Sequence, residues 1–339
     1  MFRQDRTNPS TAVSNWRGRH DTAKGWPNTV VSTWLNGGLF GAGAGAMYWT
    51  MFGDGGGTIT KWSFVDDSRS TLVATLDYGT WGGAGTSNSG TAGYMIGGAN
   101  SPQNTYVQKL DYASEATSTL GSPTAVIAAT YDTCGFSNSG TAGYSGGGCC
   151  YTDVYHKVAF PSETVSTLSA TMDSARGGVA AMSNSGTAGY VAGGTGPSAT
   201  VDKLTYSTEA SSVLGTGLSE ARFETQTCSN AGVFGYAVGG QISNTESPSA
   251  WRSDGDKFAF PSDTRTALST GFLSGDRSYG SGGSNSGVAG YIGGGNNKWV
   301  AVTAIDKFEF PSDTRTTLAE GLSQTGNSSA SMSNEMSLV

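Results

Sequence analysis

The sequence predicts an all-β chain, and three observations carry that prediction. Glycine, serine and threonine make up about two-fifths of the 339 residues, a composition that favours turns and strands over helices. An eight-residue motif appears in five copies along the chain, and a second short element follows each copy at a near-constant distance. No stretch approaches the roughly 18 consecutive apolar residues of a membrane helix.

The elements can be justified in chain order. Residues 1–40 lack the repeat and read as a largely extended arm. Within residues 1–30, Arg3, Arg6, Arg17, Arg19 and Lys24 stand against Asp5 and Asp21, whereas the whole chain carries a net charge of −7 and a pI near 4.8. A basic arm on an acidic body suits docking onto an acidic protein surface. The same acidic balance argues against general nucleic-acid binding. No apolar run follows the first basic residues, so no secretory signal is expected.

From residue 41 the repeats take over. Ser87-Asn-Ser-Gly-Thr-Ala-Gly-Tyr94 recurs at 137–144 and 183–190, with looser copies at 229–236 (SNAGVFGY) and 284–291 (SNSGVAGY). Two short strands around an Asn-Ser-Gly turn make a hairpin. A glycine doublet follows each tyrosine at 97–98, 147–148, 193–194, 239–240 and 294–295. Doublets there predict crowding of the innermost strands around a central axis, since glycine alone tolerates such approach.

The second element reads KWSF (61–64), KLDY (109–112), KVAF (157–160), KLTY (203–206), KFAF (257–260) and KFEF (307–310). Apolar residues at alternate positions predict a third strand with one packed face. Its terminal aromatic is expected to fill space between neighbouring sheets. A tight turn such as PSDT and a run ending in leucine supply a fourth strand. Six units of about 48 residues, each with four strands, fit propeller blades better than solenoid rungs. The expected domain is thus a β-propeller over 41–339 with six four-stranded blades, or seven if residues 26–45 form a further sheet. The segment 323–335 is expected to close the ring by adding a strand beside Tyr48, Trp49 and Thr50.

The run AAMSNSGTAGYVAGG (180–194), with FPSETVSTL (160–168), resembles the kelch repeat family of β-propellers. The tryptophan that ends a kelch blade is replaced here by small or aliphatic residues such as Thr167 and Leu168. The likeness is closer to the Gly/Ser/Thr-rich kelch-like repeats in virion structural proteins of tailed phages, of cyanophage type. It extends over about 280 residues. That resemblance implies a propeller fold and a place in a virus particle, assembled in the host cytoplasm.

Little in the chain points to catalysis. His20 and His156 are the two histidines, too few for histidine-based metal or acid–base chemistry. Cys134, Cys149, Cys150 and Cys228 lack disulfide or zinc spacing and read as free thiols. Arg176, Arg222, Arg252, Arg265, Arg277 and Arg315 fall at several different blade positions, unlike a clustered sialidase-type site. No catalytic residue, metal or cofactor is therefore expected. The stretches between glycine doublet and lysine vary most, and connections between the same two strands emerge at one edge of every blade. Tyr106, Tyr151, Tyr155, Trp251 and Trp299 lie on them as candidate binding residues, able to stack on sugars or anchor a protein. The expected function is a non-enzymatic virion structural protein, a tail fibre, adhesin or surface module. It would join other virion proteins through residues 1–30, bind a host-surface glycan or protein through its loops, and recur in many copies, without membrane insertion. A capsid decoration spacer and a bacterial lectin or carbohydrate-active enzyme are the alternatives.

Overall fold

The structure, a computed structural model, describes residues 46–50, 57–77, 81–99, 105–121, 127–128, 130–149, 151–243, 250–260, 262–298, 300–325 and 330–334. The expected arm, with Arg3, Arg6, Arg17, Arg19 and Lys24, lies outside the described residues, as do His20, Cys150 and Trp299. Among the described residues the regular elements are strands, with no α-helix.

Five antiparallel four-stranded sheets each use one continuous stretch of chain. The first runs through Ala84–Asn88, Ala92–Ile96, Val107–Asp111 and Thr117–Leu120, paired in that order. The same order recurs over 134–171, 180–213, 226–268 and 281–317. These are blades of a β-propeller. A further four-stranded sheet is composite. Its outer strands are Thr58–Ser63 and Arg69–Thr75; Ala46–Thr50 pairs with Thr58–Ser63 on one side and with Ala330–Asn334 on the other. The register runs from Ala46↔Asn334 to Thr50↔Ala330.

The second strand of each continuous blade (AGYMI, AGYSG, AGYVA, FGYAV, AGYIG) is buried almost throughout, because it has strands on both edges and sheets on both faces. Third strands bury alternate residues, Gln108 and Leu110 and their equivalents Asp202 and Leu204, and their first residue, Val107 or Val201, is buried as well. Outer strands are mostly solvated and rich in threonine and serine.

The repeat's tyrosine and lysine face each other across the second and third strands, as in Tyr94↔Lys109. Each lysine reaches a carboxylate in the last turn of the following sheet. The pairs are Lys109–Glu163 (2.5 Å), Lys157–Glu209 (2.5 Å), Lys203–Asp263 (2.6 Å), Lys257–Asp313 (2.7 Å), Lys307–Asp67 (2.6 Å) and Lys61–Glu115. The same carboxylates accept the tyrosine hydroxyls: Tyr94 to Glu163 (3.1 Å), Tyr144 to Glu209 (3.2 Å), Tyr190 to Asp263 (2.8 Å), Tyr236 to Asp313 (2.6 Å) and Tyr291 to Asp67 (3.1 Å). Burial, aided by those carboxylates, pushes the tyrosine hydroxyls up, so they remain protonated donors. The aromatic three residues before each acid stacks on the same tyrosine. Centroids lie 5.1 Å apart for Tyr94–Phe160, 5.4 Å for Tyr144–Tyr206, 5.2 Å for Tyr190–Phe260, 5.6 Å for Tyr236–Phe310 and 5.2 Å for Tyr291–Phe64. The terminal aromatic thus fills the space between sheets by stacking. Each acid sits at a positive φ between 52° and 59°, which turns its side chain back toward the preceding blade.

Around the axis the inner strands touch directly. Ser87 N–H donates to Ser137 Oγ (2.8 Å), Ser183 N–H to Ser229 Oγ (3.0 Å), Ser229 N–H to Ser284 Oγ (2.8 Å), Ser284 N–H to Ser333 Oγ (3.2 Å) and Ser333 N–H to Ser87 Oγ (2.8 Å). Ser183 Oγ donates to the Ser137 carbonyl (2.5 Å), which completes the circle. Turn asparagines add a second belt: Asn88, Asn138, Asn184 and Asn230 each accept from the turn glycine N–H of the next blade at 2.9–3.1 Å.

Here one expectation is corrected. The glycine doublets end the second strands and do not line the axis; Gly148 N–H, for example, donates to the Arg176 carbonyl at 2.9 Å. Crowding at the axis is met instead by inner-strand residues such as Gly135, where an added Cβ would lie 2.2 Å from the Gly85 carbonyl oxygen.

Truncation after residue 325 removes the strand paired with Ala46–Thr50 and opens the serine circle. Losing about five backbone hydrogen bonds at roughly 1 kcal/mol each should lower Tm by roughly 10 °C in a domain of this size. A truncated chain that melts with the full one in calorimetry would refute the strand's role. Glu209→Ala leaves Lys157 and Tyr144 without their shared acceptor and should cost about 2 kcal/mol, with Glu209→Gln recovering part of it, as read from urea unfolding midpoints.

Candidate functional site

In these antiparallel sheets, the connection from second to third strand and the linker into the next inner strand emerge at the same end. Both kinds of segment therefore share one face of the propeller. The short hairpin turns, with their asparagines and acids, occupy the opposite face. The described parts of the variable segments lie on the first of these faces.

Under this loop face lie three buried arginines, Arg176, Arg222 and Arg277. These three share one repeat position, seven residues before Ser183, Ser229 and Ser284. Arg176 pairs with Asp202 and Arg277 with Asp306, both buried, and those aspartates immediately precede the repeat lysines. Arg222 instead takes Asp254 at 3.0 Å, while its Nη1 also donates to the Gly239 carbonyl at 3.0 Å. Buried pairs of this kind are costly to break, because the remaining charge is stranded. They tie each linker to its neighbouring blade and do not form a joint cluster.

At the loop-face mouth of the axis, the linkers form a belt. Gly178 N–H donates to the Asp132 carbonyl (3.0 Å), Glu224 N–H to the Gly178 carbonyl (2.8 Å) and Tyr279 N–H to the Glu224 carbonyl (3.3 Å). Asp132, Glu224 and Tyr279 are all left-handed, with φ of 54°, 53° and 60°. The Glu224 carboxyl lies over Gly178, where a Cβ would sit 2.6 Å from Oε1. Burial pushes Asp132 up to about 6. Glu224 rises well above the usual carboxylate range, through burial and then the Asp132 charge. Burial and these two acids push the Tyr279 hydroxyl up to about 12.

The sequence-predicted loop aromatics fall into separate environments. Tyr151 is 61% exposed, at a left-handed turn. Tyr106 is partly buried, and its carbonyl accepts from Gly97 N–H at 3.2 Å. Tyr155 and Trp251 are corrected: they are 0% and 2% exposed and present no open stacking face. Tyr155 belongs to the strand Val154–Ala159, two residues before Lys157, a position that Ile59, Val107, Val201 and Ile305 fill elsewhere with packed side chains. Its ring meets Phe136 edge-on at 6.2 Å. Trp251 is bridged to Gln241, which folds its loop back onto the sheet. His156 is likewise in that strand rather than in a loop, hydrogen-bonded through Nδ1 to Thr167 Oγ1 at 3.1 Å; burial lowers its pKa, so it stays neutral. Cys134 and Cys228 are buried free thiols, and Cys149 is a partly buried one.

An open groove of about 600 Å³ interrupts the loop face. Its sides come from Glu220, Arg252, Asp254, Thr270, Asp276 and Lys298, with Trp251 and Ser253 also lining it. Four segments contribute, so no local motif announces it. Arg252 grips Glu220 through two bonds, Nε to Oε2 (2.9 Å) and Nη2 to Oε1 (3.1 Å). That grip holds Glu220 below the usual carboxylate range and raises Arg252. Asp254 is held by Arg222, and Lys298 Nζ stands 3.7 Å from Asp276. Lys298 sits left-handed (φ 49°) at the tip of the small hairpin Asn296–Asn297 with Val300–Ala301. The axial channel is narrower, with cavities of about 140 and 100 Å³ walled by serine, glycine and small residues. Among the described residues, no group of three or more His, Cys, Asp or Glu could hold a metal ion.

No protein-family model matches this chain, and no curated protein matches it.

The carboxyls at the axial mouth bind protons more tightly folded than unfolded. Their contribution to stability is whole below about pH 4 and is lost as pH rises through about 6 for Asp132 and through the raised range of Glu224. Glu224→Gln should therefore leave Tm unchanged at pH 4 and raise it at pH 8. Equal melting shifts at both pH values in scanning calorimetry would contradict a raised Glu224.

Proposed function

We propose that this protein is a non-enzymatic virion structural protein of a tailed phage, a tail fibre, adhesin or surface module. It is a six-bladed propeller, attached to the particle through the basic arm of residues 1–30. Its loop face meets the host surface or other virion proteins, and it is present in many copies. The composite sheet counts as the sixth blade in this reading, because Lys61–Glu115 and Lys307–Asp67 join it to both neighbours as every other pair of blades is joined.

The observation that carries the reading is a division of labour between faces. Contacts that recur from repeat to repeat occupy the interior and the turn face: the tyrosine–lysine–acid clusters, the stacked aromatics and the serine circle. Residues that differ from repeat to repeat collect on the loop face. A ring spent on rigidity, with its variability presented on one side, suits a display module on a particle. The likeness of SNSGTAGY and KFEFPSDT segments to kelch-like phage proteins supplies the viral context.

The test is cryo-EM and mass spectrometry of native particles, together with a chain lacking residues 1–30. The expected result is a propeller-shaped density on the particle surface, and a shortened chain that keeps its Tm but fails to incorporate. A protein absent from purified particles would overturn the reading.

A further inference from the structure

We infer that the groove between Glu220, Arg252, Asp276 and Lys298 is a binding site for a neutral, polyhydroxylated ligand, a saccharide unit of one or two rings. The inference rests on the display reading above and names the class of molecule recognised.

The argument begins with volume. About 600 Å³ of open space falls within the range of small-molecule sites and is several times larger than either axial cavity. Charge then narrows the chemistry. Three carboxylates meet the groove, and each has a cationic partner: Glu220 with Arg252, Asp254 with Arg222, Asp276 with Lys298. The charges cancel, so the site holds no surplus to capture a free cation or anion. What the pairs offer is a set of strong acceptors and donors side by side. A neutral ligand with adjacent hydroxyl groups matches that set, since each hydroxyl can donate to a carboxylate and accept from an ammonium or guanidinium. Charge-assisted hydrogen bonds of this type are about twice as strong as neutral ones.

The donors and acceptors are also held in place. Arg252 is fixed by its two bonds to Glu220, and its backbone N–H donates to the Gly240 carbonyl at 3.0 Å. Arg222, which anchors Asp254, is 1% exposed. Asp276 and Lys298 make the loosest pair, at 3.7 Å, with the lysine side chain 48% exposed. At that separation a single hydroxyl can bridge the two, donating to the carboxylate while accepting from the ammonium. Thr270 adds an exposed hydroxyl to the lining. Pre-organised polar groups of this kind lower the ordering cost of binding.

The experiment uses the full chain. Calorimetric titration against a panel of neutral hexose and N-acetylhexosamine disaccharides, with a lysine-rich and a glutamate-rich peptide as comparators, should find at least one saccharide that binds. Asp276→Asn and Lys298→Ala should each weaken it by about tenfold or more. Both side chains lie at the surface, so unchanged Tm values should accompany the loss. Arg315→Ala, on an outer strand away from the groove lining, provides a folded control that should bind normally. Three results overturn the inference: no saccharide binding, binding unaffected by both groove variants, or tighter binding of either peptide. Failure here is separable from failure of the display reading. A protein found on particles but blind to saccharides would refute the groove alone, whereas saccharide binding by a protein absent from particles would refute the virion role alone.

Discussion

The rest of the structure depends on a single repeated interaction, the acid that reaches back from one sheet to the tyrosine and lysine of the sheet before it. A propeller blade has no covalent link to its neighbour except one short linker, so lateral cohesion has to come from side chains. Here one carboxylate accepts from two donors, and the aromatic three residues earlier in the same turn covers the tyrosine ring. Individually such partly exposed ion pairs contribute little. Their value lies in coupling: moving the acid away also unstacks the aromatic and strips the tyrosine of its acceptor. Because Lys307 closes onto Asp67 across 240 residues of sequence, the last repeat is locked to the first by the same chemistry that joins adjacent ones.

That cohesion at the turn face releases the axis from needing a large apolar core. On their axial side the inner strands carry serine, glycine, alanine and threonine, and there they touch through hydroxyls and backbone rather than through bulky side chains. A ring of such small strands would be underpacked without the lateral clusters outside it. With them, the close approach of Gly135 to Gly85 is tolerable, and the high glycine and serine content has a structural use.

Much of this is legible from residues at fixed offsets. The terminal aromatics Phe160, Tyr206 and Phe260 are expected between sheets from their alternation and are found there. The acids three residues beyond them are equally regular in the sequence, but nothing local says that a turn acid points backward; that depends on its left-handed backbone. The regular spacing of Arg176, Arg222 and Arg277 can be read from their distance to the serine motif, yet the other arginines of the loops obscure it. Tyr155 reads as a loop residue when counted forward from the glycine doublet. Counted back from Lys157, it falls at a core position. The groove lies beyond sequence reading for a different reason: Glu220 and Lys298 are separated by more than one whole repeat and line one groove only because loops and linkers of neighbouring blades share a face.

The same arrangement explains why variable loops can sit on so regular a ring. A substitution in the turn face affects a carboxylate with two donors and a stacked ring, and its cost is felt by two blades. The described ends of the loop between Gly240 and Asp254 are held instead by backbone contacts to Phe223 and Arg277, beside a groove open to solvent. The extra length of that loop relative to its equivalents adds little closure entropy and leaves the lateral clusters untouched. The lateral clusters that hold the ring together therefore sit at one end of the strands and the variable loops at the other, so the loops can change in sequence while the ring that carries them stays the same.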